Sequence, residues 1–218
     1  MRCTLAIFDL DGTLIDSVGG IHRALNLLLA DYGFAPLPLT QVTGMVGDGA
    51  SNLIERAFAV YEHVAPDIHA EVRRFLEHYA TDPVAHTKLY EGVEKALQEL
   101  RDRGVTLAIC TNKPLQISEA ILAKLEVADY FSAVLGGDSR PYRKPDPRML
   151  HELLQQFGVK PAQAVLVGDS EVDAATAQSA GVPFVLVTFG YHRAPLEEIP
   201  RTATIDHFDE LVGTIERT

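Results

Sequence analysis

Five short apolar runs, Leu5 to Phe8, Val105 to Cys110, Ala133 to Leu135, Ala164 to Val167 and Pro183 to Val187, are continuous rather than alternating. A strand that is apolar on both faces needs cover on both faces, the condition met by a parallel sheet between layers of helices. Segments with helical spacing separate the later runs: Val93, Ala96, Leu97 and Leu100; Ile117, Ala120, Ile121 and Leu125; Met149, Leu150, Leu153, Leu154 and Phe157. From residue 88 onward the order is β-α-β-α, and an open, parallel α/β sheet is expected.

The first run breaks this rhythm. The next comparable run begins at Val105, about 95 residues later, whereas a βαβ unit needs only about 30. Between them the spacing is helical: Ile21, Ala24, Leu25, Leu28 and Leu29; Leu53, Ile54, Ala57, Phe58 and Tyr61; Val72, Phe75, Leu76 and Tyr79. A small helical domain over residues 17–82 is therefore expected inside a core of residues 1–16 and 83–218. Its two connections, near 15–19 and 80–88, are candidate hinges.

Each polar cluster follows an apolar run: Asp9 and Asp11 the first, Thr111, Asn112 and Lys113 the second, Asp138 the third, Asp169 the fourth. Ligands of open α/β sheets bind at the carboxyl ends of the strands, so groups distant in the chain are expected to converge there. Asp9 and Asp11 are two residues apart and repel unless a cation lies between them or one is protonated. A set of oxygen donors suits Mg²⁺. Asp169 supplies a third carboxylate, and Asp173, one helical turn on, a fourth that braces the site. Thr111 and Asn112 offer hydroxyl and amide donors to a phosphate, and Lys144, in RPYRKPDP, a point charge.

The composition removes other classes. Nineteen Lys and Arg against 30 Asp and Glu leave a formal charge of −11, which argues against a nucleic-acid partner. Two cysteines, Cys3 and Cys110, exclude a disulfide framework, and no apolar stretch approaches the roughly 18 residues of a membrane span. The eight histidines show no HxxxH or HExxH spacing for zinc. The expectation is a cytoplasmic protein, monomer or homodimer, that binds neither membrane nor nucleic acid.

In order, DLDGT (9–13), CTNK with Thr111, RKPDP with Lys144 and GDSEVD with Asp169 and Asp173 resemble the four motifs of the haloacid dehalogenase superfamily. The resemblance implies a Rossmann-like core with a helical cap and Asp9 as nucleophile. It further implies Asp11 as general acid and base, Mg²⁺ held by Asp9, the Asp11 carbonyl and Asp169, and phosphate bound by Thr111 and Lys144. Dehalogenases of the superfamily lack the acid that Asp11 supplies. Phosphonatases need a cap lysine, and the first lysine here is Lys88.

Within the superfamily, TGMVGDGASNLIERAF (43–58), LGGDS (135–139) and FGYH (189–192) resemble phosphoglycolate phosphatases, implying 2-phosphoglycolate as substrate. After Gly190 and Tyr191 the chain reads HRAPLEEIP, where that subgroup often carries Asn and Gly. The loop bearing Gly44, Gly47, Asp48 and Gly49 is expected to set substrate specificity, its glycines letting backbone amides approach a small anion. Arg56 has two readings, a partner for a substrate carboxylate or for a neighbouring acid, and His192 is a further candidate contact. Other readings are a sugar phosphatase, a pyrophosphatase or a β-phosphoglucomutase-like mutase. A non-catalytic, phospho-accepting module is the reading outside enzymes.

Overall fold

The computed structural model describes residues 3–84 and 86–217, so residue 85, in the second connection, and the extreme ends of the core range lie outside the described residues. In chain order the elements are β1 (Leu5–Phe8), β2 (Ile15–Asp16), α1 (Val18–Asp31), α2 (Leu39–Thr43), α3 (Ala50–Ala59), α4 (Ile68–Ala80), β3 (Lys88–Leu89) and α5 (Val93–Asp102). There follow β4 (Thr106–Cys110), α6 (Leu115–Lys124), β5 (Ala133–Leu135), α7 (Arg148–Phe157), β6 (Ala164–Gly168), α8 (Glu171–Ala180), β7 (Phe184–Val187), β8 (Ala203–Ile205) and α9 (Leu211–Arg217).

Six strands form one parallel sheet in the order β5-β4-β1-β6-β7-β8. The continuous runs are explained by the two cores they feed. Ala6 and Phe8 of β1 join Leu107, Ile109, Val165 and Val167 on one face, against α5, α6 and α9. Leu5 and Ile7 join Ala108, Cys110 and Leu166 on the other, against α7 and α8. All five expected runs are strands of this sheet. The sixth strand, β8, was not anticipated, because at an edge only Ile205 of its three residues is buried and no apolar run marks it.

The order places β1 between β4 and β6, where the winding of the chain reverses. A crevice is expected at the carboxyl ends of strands flanking such a point. Asp9, Thr111 and Asp169 each follow directly on one of these three strands.

Helices α1 to α4 leave the core after β2 and return to it at β3. These two-residue strands pair antiparallel, Ile15 with Leu89 and Asp16 with Lys88. The helical stretch thus enters and leaves through one short ribbon. Within it α1 and α3 pack on α4, and Tyr32, Phe34, Phe58, Tyr61 and His63 form an aromatic cluster in which Phe34 and Tyr61 stack at 4.5 Å.

Ile7 is fully buried in the central strand. Its replacement by Ala is expected to cost about 2–5 kcal/mol, read as a lower urea midpoint at unchanged slope. An unchanged midpoint would contradict the packing described.

Candidate active site

Asp9 leaves the end of β1 beside β6, its amide bonded to the Val167 carbonyl at 2.9 Å. One carboxylate oxygen each of Asp9, Asp169 and Asp173 lies within 4.8 Å of the others, and all three residues are buried. A single ammonium serves this group: Lys144 Nζ is 2.9 Å from Asp9 Oδ1 and 2.6 Å from Asp173 Oδ1. Asp173 also caps the start of α8, its Oδ2 accepting from the Ser170 hydroxyl at 2.6 Å and the Ser170 amide at 3.2 Å. Asp169 accepts from the Thr13 hydroxyl at 2.9 Å and the Tyr191 amide at 2.6 Å.

Two glycines make the position of Asp169 attainable. A Cβ on Gly190 would stand 2.1 Å from the Asp169 Cβ, and one on Gly12, whose φ is +81°, 2.4 Å from Asp169 Oδ2. Both approaches are open only to glycine. The DLDGT and FGYH stretches therefore meet at one carboxylate.

Three buried carboxylates around one ammonium leave the site short of positive charge. Burial pushes the Asp9 carboxyl up to about 6, with Lys144 pulling it down and Asp173 adding to the rise. Asp169 is raised well above the ordinary range by burial, then by Asp173 and Asp9. Burial alone would lower Lys144, but Asp173 and Asp9 outweigh it and hold the ammonium above its usual value. Asp9 Oδ1 is buried and receives no well-directed hydrogen bond. Oxygen donors in surplus negative charge are what a hard divalent cation requires, so these residues fit Mg²⁺.

Asp11 turns the other way. It accepts from the Ser17 hydroxyl at 2.5 Å and from Lys113 Nζ at 3.0 and 3.2 Å. The expected repulsion between Asp9 and Asp11 is thus relieved first by two separate lysines. Thr111 Oγ1 accepts the Lys113 amide, while Asn112 Nδ2 donates to the carbonyls of Gly47 and Lys144, both at 3.1 Å. Asn112, expected to offer its amide to a phosphate, instead joins the loop after β4 to the loop of the helical stretch and to the Lys144 loop.

Asp9, Asp11, Thr111, Asn112, Lys113 and Asp169 floor a cavity of about 60 Å³, lined also by Ile21, Val46, Gly47, Gly49, Leu53, Phe75, Leu76 and Tyr79, while Lys144 and Asp173 lie behind it. Gly44 and Asp48 do not line it. Gly44 ends α2, and Asp48 points to Arg193, with contacts of 2.6 and 3.2 Å. Arg193 also meets Glu171 at 2.6 Å and the Val46 carbonyl at 3.2 Å. Arg56 pairs with Asp48 and donates to the Met45 carbonyl, which settles its two readings in favour of the neighbouring acid. His192 lies against the Ala194 carbonyl and does not line the cavity.

The family model described as haloacid dehalogenase-like hydrolase matches residues 6–187. The chain belongs to this family. A phosphoglycolate phosphatase of Cereibacter sphaeroides is 43% identical over 214 residues, 97% of each chain. One from Rhodospirillum rubrum is 45% identical over 211 residues, 94% of this chain and 88% of that one. The crystal structure of a predicted phosphoglycolate phosphatase from Haemophilus somnus superposes with a TM-score of 0.92 at 31% identity, covering 98% of both chains. In this haloacid dehalogenase-like hydrolase, Asp9, Thr111 and Asp169 line one cavity and Lys144 pairs with Asp9.

Sequence reasoning passed over four residues of this hydrolase. Lys113 was read only as part of a polar cluster. Tyr79 was read as a core residue of its helix, yet its hydroxyl reaches Lys113 at 3.1 Å. Tyr191 lines the cavity, and its hydroxyl accepts from the amides of Ser17 and Val18 and donates to Asp16, tying the β2 connection to the carboxylate site. Arg193 stands in the stretch that departs from the subgroup pattern. Only partners distant in sequence reveal these roles.

The Asp48–Arg193 pair gives a measurable latch. Burial alone would raise the Asp48 carboxyl, but Arg193 and Arg56 outweigh it and hold it below the ordinary value. Its contribution is therefore complete above the unfolded value of about 3.9 and is lost as pH falls through the lower folded value. Arg193→Ala is expected to speed hydrogen exchange of amides 46–50 about fivefold, the scale of a partly exposed ion pair. In the native protein, protection relative to intrinsic exchange should be equal at pH 7 and pH 5 and decline only below about pH 3.9. Equal rates in variant and native protein would rule out the latch.

Proposed function

We propose that this hydrolase cleaves a small phosphomonoester, 2-phosphoglycolate, by way of an aspartyl-phosphate on Asp9. The observation that carries the reading is the buried carboxylate of Asp9, paired with Lys144 and lining a cavity at the carboxyl ends of β1, β4 and β6. The names of the curated relatives support the substrate.

In this reading an Asp9 oxygen attacks phosphorus as the phosphorus–oxygen ester bond breaks, and Asp11 delivers its proton to the departing oxygen. Asp11, then a carboxylate, takes a proton from the water that attacks the aspartyl-phosphate, and inorganic phosphate leaves. Thr111 and Lys144 hold the phosphoryl oxygens, and Asn112, its side-chain amide spent on the carbonyls of Gly47 and Lys144, fixes the loops around them. Asp9, the Asp11 carbonyl and Asp169 would hold Mg²⁺, which when bound supplies positive charge against the charge spread over those oxygens. Asp173 positions Lys144.

Residues 17–82 act as a cap over a core of 1–16 and 83–218, with the β2–β3 ribbon as hinge. The loop bearing Gly44, Gly47, Asp48 and Gly49 closes the cavity, Gly47 and Gly49 lining it and Asp48 latching it to the core. Closure keeps bulk water from the first step.

The test is phosphate release across 2-phosphoglycolate, glucose phosphates, pyrophosphate, nucleoside monophosphates and an aryl phosphate. A kcat/KM preference for 2-phosphoglycolate is expected. Asp9→Asn should lower kcat on the order of 10⁴-fold or more, Asp11→Asn should slow or trap the intermediate, and Asp169→Ala should weaken Mg²⁺ binding in calorimetry. Removal of divalent cations should abolish turnover and added Mg²⁺ restore it. Wild-type turnover in Asp9→Asn would refute the nucleophile assignment.

A further inference from the structure

We propose that Lys113 and Tyr79 read a carboxylate on the part of the substrate that is not transferred. The inference rests on the phosphatase reading above and adds to it the residues that recognise the leaving group.

Much of the cavity lining is apolar, with Ile21, Val46, Leu53, Phe75, Leu76 and Ile117 among its residues. Lys113 is the one cationic residue among the described residues that line the cavity. Its side chain is 5% exposed, and its Nζ lies 3.1 Å from the Tyr79 hydroxyl and 4.5 Å from the centre of that ring.

An ammonium has three donors. One bifurcated N–H is enough for both oxygens of Asp11, and a second serves Tyr79. The third is available to an anion in the cavity. Tyr79, accepting from Lys113, keeps its own proton for a further acceptor. Two donors from two side chains match the two oxygens of a carboxylate.

Lys113 Nζ also lies 3.0 Å from Asp11 Oδ1, on the group that would protonate the leaving oxygen, which puts both donors beside the leaving group. The ligand class is a phosphomonoester whose leaving group carries a carboxylate.

Two substrates of matched shape test this: 2-phosphoglycolate and ethyl phosphate, which has a methyl group in place of the carboxylate. The quantity is the ratio of their kcat/KM values in the Mg²⁺-loaded, full-length protein. Lys113→Met should slow both, because Lys113 also holds Asp11, but should lower the ratio about 30-fold, equivalent to about 2 kcal/mol for a charge-assisted hydrogen bond. Tyr79→Phe removes only the hydroxyl and should lower the ratio about fivefold through KM. A ratio within twofold of wild type in both variants overturns the inference and leaves Lys113 as a positioning residue for Asp11. If Lys113→Met loses its circular dichroism signal, Tyr79→Phe decides alone, an unchanged ratio again overturning it. Wild-type protein that cleaves both substrates equally overturns the inference while the phosphatase reading stands. Release of phosphate from neither substrate nor from an aryl phosphate overturns both.

Discussion

The structure is organised around negative charge held out of water. Asp9, Asp169 and Asp173 are brought together with Lys144 as the one ammonium among them, and all four are buried. Such a group is unfavourable unless donors surround it and a cation balances it. Ser170, Thr13 and the Tyr191 amide supply the donors. Gly12 and Gly190 leave the space that lets the chain close around Asp169. The remaining surplus of negative charge is of the kind that a divalent cation balances.

A parallel sheet allows this arrangement at small cost to the fold. Its strands end on one edge, and helices on both faces seal the two cores, so the polar groups collect outside the packed interior. The order of strands then decides which loops become neighbours. With β1 between β4 and β6, residues more than 150 positions apart, Thr13 and Asp169, share a hydrogen bond.

The helical insertion adds closure at three separate places. Tyr191 bonds to the connection at Asp16 to Val18, Asn112 and Arg193 hold the loop at residues 46–48, and Lys113 meets Tyr79 of α4. Each contact joins a residue that carries or neighbours the chemistry to one that roofs it.

Much of the fold was legible in the sequence because burial on both sides of a strand leaves a local mark. The five apolar runs, the helical spacing between them and the long interruption after Phe8 stand in the chain itself. Asp9, Asp11, Thr111, Lys144 and Asp169 could be named because each follows a run directly or sits in a distinctive motif. Strands β2, β3 and β8 left no such mark, being two or three residues long and partly exposed. What only the tertiary structure decided is pairing: which lysine neutralises which carboxylate, that Asp48 faces Arg193 and not the cavity, and that Lys113 and Tyr79 share one wall of it. Charge and hydrogen-bond partners are chosen by distance in space, and the order of residues along a chain carries that distance only after the sheet has set its strands side by side.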